Sequence, residues 1–219
     1  MGAGNGILAQ LLQKKDFKGS IDGVEPAHAG ASRASVFYRS LHQDSVQNFC
    51  SQNSTLVEYD FIILADVIEH LENPDTILIL LKRFLKPGGC ILISTPNVAY
   101  ITIRWSLLNG HFDYVDSGIL ERTHLRFFTE QTLKDLFLWT KCSVALQINC
   151  HRYPVGEDLI RLNNPFAPIL YSKLINDVLA STYHFVFVLS PYADQNSKTI
   201  NIGHKNSPRQ IAEYFYQKN

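Results

Sequence analysis

One stretch of the chain, residues 59–97, constrains the fold more than any other. It opens with an almost continuous apolar run, Tyr59–Ala65, of the kind found in strands that are buried on both faces of a parallel sheet. A helical pattern begins at Asn73 and is stopped by the proline and glycines that follow Lys86. A second apolar run, Cys90–Ser94, comes directly after it. The stretch therefore predicts a strand–helix–strand unit.

Polar side chains gather where the first of these strands ends. Asp66, Glu69 and His70 follow the apolar run at once. If a helix began at Asp66, the i, i+3 and i+4 spacing would put all three on one face. Ligands of open α/β sheets bind at the carboxyl ends of the strands. This edge is thus the predicted site.

The amino terminus carries a glycine-rich turn, Gly2, Gly4 and Gly6, before an apolar helix that runs to about Lys14. Such a turn lets the backbone come close to a ligand and points unpaired N–H groups at it. The spacing is G-x-G-x-G. The dinucleotide pattern G-x-G-x-x-G would need a glycine where Ile7 stands.

Two further strands are predicted, at residues 20–25 and 37–42; the first ends in an acidic residue and the second is followed by one. Glu25 ends the first of them, where a carboxylate can accept two hydrogen bonds from a ribose diol. It could instead complement the dipole of the helix that follows. Asp44 comes just after the other strand, and its alternative is an N-cap of the next helix.

The remainder of the chain predicts helices, an aromatic loop and a closing pair of antiparallel strands. The predicted elements are a helix at 99–109, a loop at 111–122, a helix at 129–139, a strand at 143–153, a helical insert at about 164–181, and a strand at 184–189. From residue 192 to 219 the composition is that of a polar tail.

The composition of the chain limits which kinds of binding partner and which cellular compartment are expected. The 219 residues include 20 basic and 20 acidic ones, so the chain has no general electrostatic attraction to nucleic acid or to an anionic membrane. No apolar window of about twenty residues predicts a transmembrane segment. The four cysteines lack C-x-x-C spacing, which favours reduced core thiols in a cytoplasmic protein. The sequence does not indicate an oligomeric state.

Three segments carry a resemblance to a known family. YDFIILADVIEHL and LKPGGCILISTPN resemble the fourth-strand and fifth-strand region of class I S-adenosylmethionine-dependent methyltransferases. THLRFFTEQTL resembles a segment of bacterial small-molecule methylases, including the polyprenyl-hydroxyphenol methylases of quinone synthesis. The resemblance covers about residues 2–190. It implies an α/β, Rossmann-like, doubly wound and mostly parallel sheet with a terminal antiparallel hairpin, forming one methyltransferase domain over residues 1–191.

The resemblance also implies a cofactor, S-adenosyl-L-methionine, and a small-molecule methyl acceptor, with oxygen as the expected acceptor atom. The residues expected to hold the cofactor are Gly2, Gly4, Gly6, Glu25 under the ribose, Asp44 near the adenine, and the turn at Ala65 and Asp66. Removal of the acceptor's proton needs a general base, and His70 suits this role because an imidazole has an ordinary pKa of about 6.5. A structural histidine hydrogen-bonded to the neighbouring loop is the alternative.

The segment at residues 122–127 is expected to face the acceptor. On an extended segment, side chains alternate, so Arg122, His124 and Arg126 would point to one side and could hold an anionic or hydroxylated substrate. A salt-bridged surface segment is the other interpretation.

One feature departs from the family. A buried strand should precede the glycines, yet only Met1 does. Losing four to six buried apolar side chains would cost on the order of 10 kcal/mol, whereas a domain is stable by only about 5–15 kcal/mol. We therefore expect the natural chain to begin upstream.

Two other functions are consistent with the same residues. Asp66, Glu69, His70 and the distant His124 make a possible divalent metal set. Their pattern resembles that of small-RNA 3′-terminal 2′-O-methyltransferases, with aspartate in place of the first glutamate. The neutral charge argues against RNA as the substrate. The third possibility is a non-catalytic binding module that keeps the fold.

Overall fold

A computed structural model describes residues 1–52, 58–152 and 177–191. The strands are β1 Asp22–Val24, β2 Ser40–His42, β3 Tyr59–Ala65, β4 Leu85–Pro96, β5 Ser143–His151 and β6 Thr182–Ser190. The helices are α1 Ile7–Lys14, α2 His28–Ala34, α3 Val46–Gln52, α4 Pro74–Leu81, α5 Ile101–Leu108, α6 Glu130–Trp139 and α7 Val178–Ser181. Apart from α7 and the residues beside it, the predicted insert lies outside the described residues, as does the tail.

The strands form a mixed α/β architecture. β1 pairs in parallel with β2, and a four-stranded sheet has the order β3-β4-β6-β5. In that sheet β3 and β4 are parallel, while β6 runs antiparallel to both β4 and β5. The α/β sheet with a terminal antiparallel hairpin, predicted from the sequence, is confirmed. β4 begins earlier than predicted, because the residues around the two glycines continue its pairing with β3.

The core lies mainly on one face of the larger sheet. Ile62 and Leu64 of β3 are buried there together with Ile77, Leu78 and Leu81 of α4. On the other face, Phe61, Ile63 and Ala65 of β3 are only partly buried, and Leu8 of α1 packs there. β3, which was expected to be buried on both faces, is fully buried on one face and partly buried on the other. In β4, both faces are buried: Ile91, Leu92 and Ile93 are at most 1% exposed.

Residues 1–3 connect the two sheets by hydrogen bonds to β3 and to the last residue of β1. The Met1 amino group donates to the Ile63 carbonyl at 2.9 Å, and the Ala3 N–H donates to the Val24 carbonyl at 3.0 Å. At the amino ends of the strands, the Tyr59 hydroxyl donates to Asp22 at 3.1 Å. The Asp22 carboxylate also accepts from Arg39, just before β2. The two sheets are therefore joined at the amino ends of their strands as well.

Tyr59→Phe is expected to lower the free energy of unfolding by about 1–2 kcal/mol, because it removes one hydrogen bond to a carboxylate that is largely buried. Burial would raise the pKa of Asp22, but the hydrogen bonds from Arg39 and Tyr59 outweigh it and lower that pKa. Urea denaturation at pH 7 measures the change. The same substitution at the exposed Tyr114 should leave stability unchanged. An equal loss in both variants would contradict the assignment.

The segment after β3 is a turn and not the α-helix that the i, i+3, i+4 spacing suggested. Asp66 has a left-handed backbone with φ of 52°, which an L-residue adopts at some cost. A single 3₁₀ turn, Ile68–His70, follows, and the regular helix begins only at Pro74. The assumption that Asp66, Glu69 and His70 share one helical face is wrong.

All four cysteines are free and buried. Burial raises the pKa of Cys50 to about 11, of Cys90 to about 12 and of Cys150 to about 11. These thiols are core side chains with little thiolate at neutral pH. Within the described ranges, no helix has both the length and the apolar content that crossing a bilayer requires.

Candidate functional site

The glycine turn lies against the carboxyl ends of β1 and β3. Gly2 has φ of 65°, and a Cβ built on it would be 2.4 Å from a methyl carbon of Val67, so only glycine fits there. Gly4 has φ of 51°, and a Cβ on it would meet nothing within 4 Å. The backbone at Gly4 therefore faces open space. A ligand can approach it there closely.

Glu25 is fixed to this turn. One of its carboxylate oxygens accepts from the Gly4 N–H at 2.6 Å, and the other accepts from the Ala27 N–H at 3.0 Å. The residue is 7% exposed. Each oxygen retains a second lone pair with which to accept from a hydroxyl. Ala27 is the N-cap of α2, so the carboxylate complements that helix, as the alternative interpretation requires, while the ribose contact stays a prediction.

Asp66 and Glu25 lie at the same edge of the sheet. Gly4 donates to Glu25, while Gly2 packs on Val67, the residue after Asp66. The Asp66 carboxylate accepts from the Ser94 hydroxyl at 2.8 Å. Ser94 was not among the predicted site residues. The sequence feature that could have identified Ser94 is its position near the carboxyl end of β4, the strand that pairs with β3.

Asp44 does not cap the helix that follows it. Its carboxylate accepts from the Ser45 N–H at 2.7 Å. Ser45 is the residue whose hydroxyl accepts from the Asn48 N–H at 3.1 Å, in the manner of an N-cap. The N-cap alternative for Asp44 is thereby replaced by Ser45. Asp44 is partly exposed after β2.

A second group of polar side chains forms beyond Asp66. Glu69, His70 and His124 each offer a ligand atom, and these atoms all lie within 4.8 Å of one another. The two imidazole rings meet edge to face, with centroids 4.7 Å apart. We call these three residues the Glu-His-His cluster. It brings together three members of the predicted metal set and leaves Asp66 outside.

Backbone hydrogen bonds clamp the two segments that carry the cluster. The N–H groups of Leu125 and Arg126 both donate to the Glu69 carbonyl, at 2.9 and 3.0 Å. His70 Nδ1 is 3.1 Å from the Thr123 carbonyl. The turn that bears Glu69 and the loop that bears His124 are therefore held in register before any ligand binds.

Glu69 is a buried carboxyl group with an incomplete set of partners. It is 1% exposed, and its Oε2 accepts from the Thr95 hydroxyl at 3.1 Å. Among the described residues, no group donates to its Oε1. Burial, and then the negative charge of Asp66, raise the pKa of Glu69 to about 8. Thr95 is a further site residue that the sequence did not reveal.

Both histidines of the cluster have the same tautomer. His124 Nδ1 lies 2.9 Å from the Ile119 carbonyl, as His70 Nδ1 lies near that of Thr123. A carbonyl can only accept, so in the neutral form of each ring Nδ1 carries the proton and Nε2 has the lone pair. The alternative of a histidine bonded to the neighbouring loop is thus also observed for His70, and it leaves the reactive nitrogen available.

The predicted alternation of Arg122, His124 and Arg126 is not observed. The chain turns here, with the His124 N–H donating to the Glu121 carbonyl at 3.0 Å, and only His124 is buried. Arg122 pairs with Asp116 at 3.1 Å at the surface. Arg126 donates to the Glu72 carbonyl at 2.6 Å. The salt-bridged surface interpretation fits Arg122, whereas Arg126 is an exposed side chain bonded to a backbone carbonyl.

The fold and this edge define a Rossmann-like α/β protein with a glycine turn and an acidic strand end. Solved structures with the same fold include a SAM-dependent methyltransferase from Archaeoglobus fulgidus, at a TM-score of 0.57 and 17% identity over 86% of this chain and 82% of that one. The plantazolicin methyltransferase BamL, in complex with a desmethylPZN analog and SAH, matches at a TM-score of 0.56 and 15% identity over 87% and 75% of the two chains.

The model of a methyltransferase domain family matches residues 1–140, so this chain belongs to that family. A curated relative is the ubiquinone biosynthesis O-methyltransferase of Methylococcus capsulatus, which is 27% identical over 104 residues, or 44% of this chain and 42% of the relative. The chain spans about half or less of the length of the curated relatives it matches.

Proposed function

We propose that this chain is an S-adenosylmethionine-dependent methyltransferase that acts on a hydroxyl group of a small molecule. The observation that carries the proposal is the hydrogen bond from Gly4 to the buried Glu25 at the same sheet edge as Asp66. The family match supports the reaction class. The relative from Methylococcus is an O-methyltransferase by name, which supports oxygen as the acceptor atom.

The cofactor would lie along the glycine turn. Its methionine portion is assigned to the backbone at Gly2, Gly4 and Gly6, its ribose to Glu25, its adenine to Asp44, and its reactive end to the Ala65–Asp66 turn. The open space over Gly4 and the spare lone pairs of Glu25 fit such a group. When bound, S-adenosylmethionine supplies a methyl group on a sulfonium sulfur.

The acceptor would lie at the Glu-His-His cluster. A hydroxyl must lose its proton to become a good nucleophile, and the Nε2 lone pair of His70 is the proposed acceptor of that proton. The Nδ1 bond to the Thr123 carbonyl fixes the ring in the tautomer that this role requires. His124 faces the same cluster. Arg122 and Arg126 are the proposed contacts of an anionic acceptor, which would have to compete with Asp116 and with the Glu72 carbonyl for them.

Alignment is the chain's other contribution. Methyl transfer is an in-line displacement, so its rate depends on how firmly the two reacting groups are held. Asp66, with its backbone bonded to Ser94, and the clamped turn at Glu69 are the fixed points between the two halves of the site. The free, buried thiols suit a reducing compartment, and we place the reaction in the cytoplasm.

Calorimetric titration of the full chain with S-adenosylhomocysteine tests the proposal. One molecule should bind per chain. A folded chain that binds none would favour the non-catalytic module. Transfer of a radioactive methyl group to phenols and to a short RNA, in parallel, then separates the acceptor classes: label on the RNA alone would overturn small-molecule methylation.

A further inference from the structure

We propose that His184 is a positioning residue of the cofactor site: its imidazole, together with the Ser94 hydroxyl, holds the Asp66 carboxylate toward the cationic end of the cofactor. The inference rests on the proposed methyltransferase function. His184 was not among the residues predicted from the sequence. The three side chains come from the turn after β3, from β4 and from the first residues of β6.

The strand register puts Ser94 and His184 on the same face of the sheet. Ser94 is opposite Val186 in the β4–β6 pairing. Side chains two residues apart on a strand point to the same face, so His184 shares the face of Val186 and Ser94. The next residue of β4, Thr95, points to the other face, where it bonds Glu69. The contacts of His184 are therefore separate from the Glu-His-His cluster.

Two side chains approach one oxygen of Asp66. The Ser94 hydroxyl donates to Oδ1 at 2.8 Å, and His184 Nε2 lies 3.6 Å from the same atom. The second distance is longer than a hydrogen bond. Because the Asp66 side chain is 42% exposed, it can rotate to close that distance, as contacts in such sites do when a ligand binds. With both contacts on Oδ1, the other oxygen can face the ligand.

Burial decides which nitrogen of His184 can act. The side chain is 12% exposed, and its Nδ1 is buried. Nε2 is therefore the nitrogen at the edge of the sheet, and when it carries the proton it donates to a carboxylate. A general base must direct a lone pair at the acceptor, whereas this ring directs Nε2 at Asp66. His184 thus acts through Asp66 and not on the acceptor.

The turn at Asp66 needs support from its neighbours. Its backbone is left-handed, with φ of 52°, and this conformation is unfavourable for an L-residue. The Asp66 N–H donates to the Ser94 carbonyl at 3.1 Å and lies 3.2 Å from the Ser94 hydroxyl. Ser94 therefore holds the backbone of the turn. His184 adds the contact that directs the side chain.

The charge of the cofactor explains why a fixed carboxylate matters. S-adenosylmethionine has a positive sulfonium, whereas S-adenosylhomocysteine has a neutral sulfur. The proposed function assigns this end of the cofactor to the turn at Asp66. Attraction between a carboxylate and a cation falls with their distance, so an Asp66 side chain that loses its direction binds the sulfonium less tightly. A histidine that only supported the fold would affect both ligands alike.

The test is calorimetric titration of the full chain at pH 8 with S-adenosylmethionine and with S-adenosylhomocysteine. His184→Leu should weaken the binding of S-adenosylmethionine by about tenfold and that of S-adenosylhomocysteine by less than about threefold. His184→Gln keeps an N–H donor, so both affinities should stay within about threefold of the wild type. His151→Gln, at an exposed histidine that ends β5, is the matched control and should bind like the wild type.

A double-mutant cycle shows whether His184 acts through Asp66. Asp66→Asn alone should weaken the binding of S-adenosylmethionine, because it removes the negative charge. Adding His184→Leu to Asp66→Asn should cause no further loss, since no carboxylate is left to direct. Circular dichroism establishes that each variant is folded, and His184→Met, which also lacks a donor, serves if His184→Leu is not.

Three results would overturn the inference. They are unchanged binding of S-adenosylmethionine by folded His184→Leu, equal losses for the two ligands, and a full further loss when His184→Leu is added to Asp66→Asn. The wild-type titrations separate this inference from the proposed function. If the wild type binds both ligands and His184→Leu binds them equally well, only the role of His184 is rejected. If the folded wild type binds neither, the methyltransferase function itself is rejected.

Discussion

Glu25→Gln is expected to weaken the binding of S-adenosylhomocysteine by about tenfold to a hundredfold. The carboxylate accepts one backbone N–H on each oxygen, from Gly4 and from Ala27. A glutamine has one accepting oxygen, so either the Gly4 N–H or the Ala27 N–H loses its partner, and the ribose loses one accepting oxygen. Hydrogen bonds to a charged group contribute about 1.5–3 kcal/mol, and each 1.4 kcal/mol is about a tenfold change in affinity.

Calorimetry at 25 °C measures this loss, and urea denaturation shows how much of it is a loss of fold. Glu25→Gln should also lower the free energy of unfolding by about 1–3 kcal/mol, since one buried N–H is left unpaired. Glu58→Gln is the control, because Glu58 is exposed beside the opposite end of β3. If a folded Glu25→Gln chain bound S-adenosylhomocysteine with unchanged affinity, the assignment of the ribose to Glu25, and with it the placement of the cofactor at this edge, would be wrong.

Local signals predicted the regular elements well. The strand at Tyr59–Ala65 was predicted residue for residue, because an apolar run bounded by polar residues needs no distant information. The helix at Ile7–Lys14 follows its own glycine turn. The capping pattern at Thr129 is present, with the Thr129 and Thr132 side chains bonded reciprocally. In each case the residues that decide the element lie inside it or directly before it.

Long-range contacts decided what the sequence did not reveal. The spacing of Asp66, Glu69 and His70 is compatible with a helix, yet the Glu69 carbonyl accepts from N–H groups more than 50 residues away and no helix forms. The chain turns at His124, whose N–H donates to the Glu121 carbonyl, and the long-range bonds to Glu69 hold the next two residues. The sequence does not mark Thr95 as a site residue, because its partner Glu69 lies 26 residues earlier, in the turn after β3.

The sequence predicts which residue types form the candidate site better than it predicts which of them lie next to one another. Strand ends mark Glu25 and Asp66 as edge carboxylates, since topology alone puts parallel strand ends together. His124 could be assigned to the metal set by residue type. Only the fold shows that its neighbours are Glu69 and His70, whereas Asp66 belongs with Ser94.

Glu69→Gln is expected to stabilise the metal-free chain at pH 8 by on the order of 4 kcal/mol, while at pH 5 the difference stays within about 1 kcal/mol. The folded chain holds Glu69 at a pKa of about 8 against an ordinary 4.5. Between these values the folded state keeps a proton that the unfolded state has lost. Unfolding then releases a proton, so the free energy of unfolding falls as the pH rises through this window.

The surroundings of Glu69 explain the size of the effect. Burial is the main cause, and the charges of Asp66 and Glu121 add to it, while the hydrogen bond from Thr95 opposes it. Glutamine keeps the side-chain volume and the oxygen that accepts from Thr95. Its N–H groups have the imidazole lone pairs of the cluster as acceptors. The neutral amide therefore removes the cost of ionisation without creating a cavity.

Thermal melts in EDTA at pH 5 and pH 8 measure this effect. At pH 8 the midpoint of Glu69→Gln should lie about 10 °C above that of the wild type, since 1 kcal/mol corresponds to about 2–4 °C in a chain of this size. Glu72→Gln, the same change at an exposed position three residues on, should melt like the wild type at both pH values. Equal midpoints for wild type and Glu69→Gln at pH 8 would mean that the buried carboxyl group ionises freely.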